Sequence, residues 1–482
     1  MKNGLKDKIF SGLIWKFGER ILAQGVSFIV SVILSRLLLP SEYGVVAIVL
    51  IFINIANVFV TSGFSTALVQ NKNATEIDFS TNFYCSLVMS VIVYAFMFFV
   101  SPFIANFYNM PELILIIKVF SLRIPLSAIS AIQHAYVERH MLFKRYFFST
   151  LFGTLISGIV GIFLAYIGFG VWALIAQYFT NTIIDILVLL LTIEWRPKLI
   201  FSIQSAKSMM GYGSKILLAD LSGTFFDQLR ALIIGKIYTS SDLAFYNKGN
   251  QLPNLITTNI SASIMTVLFP AISNINDDNK RVKELTRKST KTMAYIIMPM
   301  LFGLACVSKP LTIILFTEKW IESVPYIQIL SIACSIGIIG SVSLQTIKAV
   351  GRSDIVLKLE FIKKPVYVFL LIAGAVISPF AIAITMLLYN VFSSLVNAYQ
   401  LSRVIKYSVK EQIKDLGTVL IMCFIMSVLV YPISFLRINY LVMMCLQILV
   451  GVISYWGISL VSNNESYYAI RYLIREKFNV NK

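Results

Sequence analysis

Several strongly apolar stretches of this chain carry side chains that could hold a charged, hydroxyl-rich ligand. Lys16, Arg20 and Gln24 recur at four-residue spacing and are continued by Ser27 and Ser31, with Glu19 three residues from Lys16. In a helix that spacing places them on one face. A later stretch holds Lys215, Asp220, Thr224, Asp227 and Arg230, and amides and hydroxyls recur at helical spacing at Asn54, Asn57 and Thr61 and at Asn250, Asn254 and Ser261. Lys118 and Arg123 add two further cations. Guanidinium forks grip phosphate or carboxylate oxygens at two points, and amides and hydroxyls pair with sugar hydroxyls. The candidate binding residues are therefore Lys16, Arg20, Gln24, Asn54, Arg123, Lys215, Asp227, Arg230 and Asn254. Plainer roles stay open: lysines reaching out to a polar boundary, an Asp227–Arg230 pair, and polar stripes that hold helices together.

The elements that must position these groups follow from composition. Hydrophobic residues make up 57% of 482 positions and charged residues 13%, against roughly 45–50% and 25% in soluble domains. The chain is predicted to be an all-α polytopic membrane protein. Runs of about 20 mostly apolar residues lie near 11–39, 43–67, 80–102, 113–136, 146–167, 169–193, 209–235, 250–272, 290–314, 324–346, 357–378, 380–401, 416–434 and 438–461, which gives about 14 transmembrane helices. The first is read as an uncleaved span. Most of the 41 lysines and arginines fall in alternate loops, while the opposite loops hold only Lys236, Lys248, Lys309, Lys319 and Arg437. By the positive-inside rule both termini are expected to be cytoplasmic.

The same composition excludes other classes. The net charge of +18 is accounted for by these loop cations, and no soluble basic domain points to nucleic acid. The five cysteines lie inside apolar runs with no CxxC and no histidine cluster, so neither a disulfide framework nor a metal site is expected. No phosphate-binding GxxxxGK[ST] loop exists, and no cofactor is implied. His134 and His140 read as ordinary interfacial residues, and the short loops argue against an enzyme such as a polysaccharide polymerase or ligase.

The chain also echoes itself. At an offset of 200, Arg36 aligns with Lys236, Ser41 with Ser241, Glu42 with Asp242 and Asn54 with Asn254, and "IQHAYVERHMLFKR" (132–145) resembles "LQTIKAVGRSDIVLK" (344–358). These matches lie six helices apart. They predict two six-helix bundles, 1–204 and 205–408, related by a pseudo-twofold axis along the membrane normal, with two additional helices and a cytoplasmic tail in 409–482.

The stretches "FDQLRALIIGKIYTSSDLAFYNKGNQLPNLITTNI", "LLTIEWRPKLIFS" and "LQTIKAVGRSDIVLKLEFIKK" resemble bacterial polysaccharide repeat-unit flippases of the Wzx type. The likeness is to the colanic-acid and teichuronic-acid exporter branch of the multidrug/oligosaccharidyl-lipid/polysaccharide exporter superfamily, and "SRLLLPSEYG" and "ALVQNKNATEIDFST" share it. The resemblance implies a MATE-like fold and a flippase that moves undecaprenyl-diphosphate-linked oligosaccharide across the bacterial cytoplasmic membrane by alternating access through a cationic cavity. It transfers no single binding residue to this chain. H+ and Na+ are candidate coupling ions, and a polysaccharide polymerase and glycosyltransferases are candidate neighbours. The alternative within the superfamily is a drug/cation antiporter, which calls for a cavity led by acids.

Overall fold

A computed structural model describes residues 2–62, 68, 74–468 and 471–472, and the side chains of 2–14, Lys16, Phe17, Arg20, Tyr212, 262–264 and Val267 lie outside that description. Among the described residues every regular element is helical. The chain divides into two compact units, residues 1–244 and 245–482.

The first unit contains α1 (Lys2–Leu37), α2 (Pro40–Thr61), α3 (Glu76–Tyr108), α4 (Leu113–Phe120), α5 (Arg123–Arg139), α6 (Phe143–Tyr166), α7 (Val171–Thr192) and α8 (Ile203–Ile237), and the start of α9 (Ser240–Ser273). The second continues with α10 (Asn279–Phe316), α11 (Val324–Ala349), α12 (Ser353–Ile377), α13 (Pro379–Ile405), α14 (Val409–Val430) and α15 (Tyr440–Val461). Each of the fourteen apolar segments falls on one of these helices, or on the pair α4–α5. Among the described residues ten helical segments are long and apolar enough to cross a membrane. Helices α8, α9 and α12 are 35, 34 and 25 residues long but are interrupted by charges and amides, those already singled out in α8 and α9 and Lys358, Glu360, Lys363 and Lys364 in α12.

The segment 113–136, expected as one helix, is broken at Ser121–Leu122. Pro125 lacks the N–H that would bond the Ser121 carbonyl, and a proline is tolerated in the first turn of a helix, so α5 restarts at Arg123. Instead the Ser121 carbonyl accepts the Ile124 N–H at 2.9 Å.

Small residues bring helices together where no hydrophobic drive operates. In the first unit α6 packs between α1 and α7: a methyl group built on Gly158 would lie 2.4 Å from Val30, and one on Gly161 would lie 3.0 Å from Gln177. In the second unit α13 is fastened to α11 by side chains three to four residues apart. Asn390 Nδ2, Ser394 Oγ and Asn397 Nδ2 donate to the carbonyls of Ala333, Ile336 and Gly340 at 2.9, 3.0 and 3.1 Å. The fork of Arg287 on α10 donates to both oxygens of Asp415 on α14 at 2.6 and 2.7 Å, and the Tyr407 hydroxyl donates to the same carboxylate at 2.7 Å. Large apolar side chains face outward; Phe99, Phe103 and Val376 are more than two-thirds exposed. Water does not favour such a surface, and a hydrocarbon solvent does.

The repeated sequence stretches fold alike locally. At the start of α2, Glu42 Oε2 accepts the Leu39 N–H at 2.7 Å; 200 residues on, at the start of α9, Asp242 Oδ2 accepts the Thr239 N–H at 3.0 Å while Thr239 Oγ1 accepts the Asp242 N–H at 3.1 Å. Each acid satisfies a donor that the helix start leaves orphaned. The ends of α5 and α11 match too. Leu142 N–H bonds Val137 O and Met141 N–H bonds Glu138 O, as Arg352 N–H bonds Ile347 O and Gly351 N–H bonds Lys348 O, the paired bonds of a Schellman terminus. The left-handed residue is Gly351 (φ 81°) in one and Met141 (φ 55°) in the other. A methionine there is strained by about 1 kcal/mol, so Met141→Gly is expected to raise the thermal midpoint of the purified protein.

Candidate functional site

A polar cavity of about 580 Å³ opens within the first unit. It is built from three helices. One face of α5 supplies Arg123, Ser127, Ser130, Ala131, His134, Ala135 and Glu138, at the three- and four-residue steps that keep side chains on one side of a helix. Asn57 and Thr61 come from α2, and Asn181, Thr182 and Asp185 from α7.

Two clusters organise it. Arg123 donates from Nε to Thr182 Oγ1 at 2.9 Å, and its guanidinium lies 5.3 Å from the Tyr178 ring centroid. Thr182 passes its own proton to the Tyr178 carbonyl at 3.1 Å. These contacts fix the plane of the fork. No carboxylate among the described residues forms an ion pair with it, so its charge is available to a ligand. The second cluster centres on Asp185, whose Oδ2 accepts Ser130 Oγ at 2.8 Å and meets His134 Nε2 at 2.8 Å. The ring of Tyr146 on α6 stands edge-on to the imidazole at 4.8 Å between centroids.

Of the nine residues expected to bind a ligand, Arg123 lines this cavity. Asn54 lies on α2, one turn before Asn57, and is exposed, and Gln24 is half-buried on α1. Lys215 and Asp227 are exposed along α8, with Arg230 half-buried on the same helix. Asn254 is half-buried on α9, its Oδ1 4.0 Å from Cys334 Sγ. The side chains of Lys16 and Arg20 lie outside the described residues.

The structure corrects one expectation and adds to another. His134 is not an ordinary interfacial group but a member of a hydrogen-bonded cluster in the cavity wall. Ser127, Ser130, Glu138, Asn181, Thr182 and Asp185 carry no mark in the sequence reading, although the spacing of Arg123, Ser127, Ser130, His134 and Glu138 is itself a signal. The α2 stripe of Asn57 and Thr61 is legible and does line the cavity.

The second unit holds an apolar cavity of about 910 Å³ between α10, α14 and α15. Pro299, Gly303, Met426, Gly451 and Trp456 lie along it, and Arg471 is also part of its lining. Small residues on facing helices leave room where larger ones would close it.

Long apolar helices, an apolar exterior and a polar cavity inside one helical unit define a multi-pass membrane protein of the transporter type. Residues 33–325, more than half of the chain, match the polysaccharide biosynthesis protein family, and the chain belongs to that family. It is 23% identical over 341 residues to the succinoglycan biosynthesis transport protein ExoT of Rhizobium meliloti (strain 1021), covering 71% of this chain and 69% of that protein. To the lipopolysaccharide biosynthesis protein WzxC of Escherichia coli (strain K12) it is 21% identical, covering 82% and 81% of the two chains. Among solved structures, the lipid II flippase MurJ in its inward closed conformation superposes with a TM-score of 0.72 over 94% of this chain and 98% of that one, at 17% identity. A likeness at that identity shows the fold, a MurJ- and MATE-like helical architecture.

Proposed function

We propose that this protein is a flippase that carries undecaprenyl-diphosphate-linked oligosaccharide repeat units across the bacterial cytoplasmic membrane for surface polysaccharide synthesis. The observation that supports it most is the polar cavity with Arg123 in its wall. A guanidinium held in one plane by Thr182 and Tyr178 suits a phosphate oxygen pair, and the surrounding amides and hydroxyls suit sugars. In this reading the prenyl chain stays in the apolar phase, for which the cavity between α10, α14 and α15 offers a mostly apolar lining that includes Arg471. The headgroup passes by alternating access, with both termini cytoplasmic. Lys16, Arg20, Gln24, Asn54, Lys215, Asp227, Arg230 and Asn254 extend the polar path. The matching starts of α2 and α9 and ends of α5 and α11 support the division into duplicated bundles, 1–204 and 205–408.

Asp185 and Glu138 in the same cavity favour a second reading, a drug/cation antiporter. One experiment separates the two. The full chain is reconstituted in vesicles with a fluorescently tagged undecaprenyl-diphosphate disaccharide, and exposure of the tag to an impermeant quencher is followed. The flippase reading expects at least about a tenfold acceleration over protein-free vesicles. Unaccelerated exposure, with uptake of ethidium instead, overturns it in favour of the antiporter.

A further inference from the structure

We infer that His134 is a proton-binding residue whose occupancy is linked to the anion that Arg123 holds, so that the cavity takes up a proton when it takes up its ligand. The inference rests on the anion-binding reading of the cavity and extends it to a second, smaller ligand.

The hydrogen-bond geometry assigns the atom. An ionised carboxylate only accepts, and Asp185 Oδ2 already receives Ser130 Oγ; the 2.8 Å contact with His134 Nε2 therefore makes Nε2 the donor. In the neutral ring the remaining nitrogen, Nδ1, is then a bare acceptor. It is buried and has no hydrogen-bond partner in the structure. A proton arriving at Nδ1 creates an imidazolium whose Nε2–H still points at Asp185, so charge is added without breaking the Asp185 contact.

The charges facing this ring determine the consequence. Along α5 the cavity presents Arg123 and Glu138; α7 presents Asp185, and α2 contributes only the neutral Asn57 and Thr61. Helix α3 places no residue in the wall, α6 brings Tyr146 against the ring, and Glu19 of α1 lies near Tyr146. Among the described lining residues, with His134 neutral, one cation faces two carboxylates and the lining is net negative. With His134 protonated the lining is neutral. An anionic headgroup is disfavoured in the first state and tolerated in the second, and by reciprocity bound anion favours the proton.

The test uses the purified full chain in detergent with inorganic pyrophosphate as probe. Calorimetry at pH 5.5 and pH 8, in buffers of different ionisation enthalpy, reads affinity and proton uptake together. We expect pyrophosphate to bind at least about fivefold tighter at the lower pH, with net proton uptake. His134→Gln, which fixes the uncharged state, should bind pyrophosphate at both pH values with the weaker affinity of that state and show only the pH dependence of pyrophosphate itself. Nitrogen-15 spectra of the imidazoles require no variant: the chain has two histidines, and pyrophosphate should move the His134 Nδ1 signal towards the protonated form. His140, whose Nδ1 lies 2.8 Å from the Tyr136 carbonyl, should stay unchanged. Binding that is present but no more pH-dependent in the natural protein than in His134→Gln overturns the linkage and spares the anion site. Absence of pyrophosphate binding at both pH values overturns the anion site, and the linkage with it.

Discussion

Arg123→Gln is expected to abolish surface polysaccharide in cells that depend on this protein while leaving the folded protein abundant. Truncating one partner of a buried, charge-assisted contact costs about 2–5 kcal/mol, which is at least about thirtyfold in ligand affinity. Such losses usually come with damaged folding, because a partner charge is stranded. Here the described residues place no carboxylate in an ion pair with Arg123, and Thr182 keeps its bond to the Tyr178 carbonyl. Removing a charge withdrawn from water relieves a desolvation cost, so the thermal midpoint should hold or rise. Arg123→Lys keeps the charge but not the two-point fork, and export should fall between the two. Normal export by Arg123→Gln at normal abundance would remove the cavity from the transport path.

Gly44→Ala is expected to have the opposite profile, with the fold lost before any function can be measured. A methyl group on Gly44 would lie 1.8 Å from the carbonyl oxygen of Ser240 and 2.8 Å from its Cα. Both contacts are backbone, so no rotamer change relieves them, and α2 would have to move away from the start of α9. Overpacking of this kind costs about 3 kcal/mol or more, a large share of a protein's net stability. The readout is the fraction of detergent-extracted protein that elutes as a single species on size exclusion. Gly25→Ala is the matched control: among the described residues nothing lies within 4 Å of its added methyl, and it should be neutral or slightly stabilising.

How much of this was legible in the sequence differs from element to element. The helices were, because a span needs a run of apolar residues long enough to cross the hydrocarbon and these runs are separated by short polar loops. The echo at an offset of 200 was also visible, and the structure supplies its local physical meaning: Glu42 and Asp242 each cap a helix start. The cavity was only half visible. Asn57 and Thr61 form a readable stripe, but His134 and Glu138 stand beside Arg139, Lys144 and Arg145, a cluster that pulls any sequence reading towards the headgroups. Asp185 could not have been placed, because its partners Ser130 and His134 lie on another helix and no periodicity encodes that contact. The break before Arg123 depends on Pro125, which ends one helix and starts another without lowering the hydropathy of the segment.

The row from Arg123 to Glu138 covers fifteen residue steps of one helix, about 22 Å at the rise of an α-helix, out of an oily layer of roughly 30 Å. A single face of α5 thus carries a polar row whose length is most of that thickness. On the proposed flippase reading, a headgroup that follows this row has polar partners along a length close to that of the layer it must cross, and the conformational change has only the remainder to open.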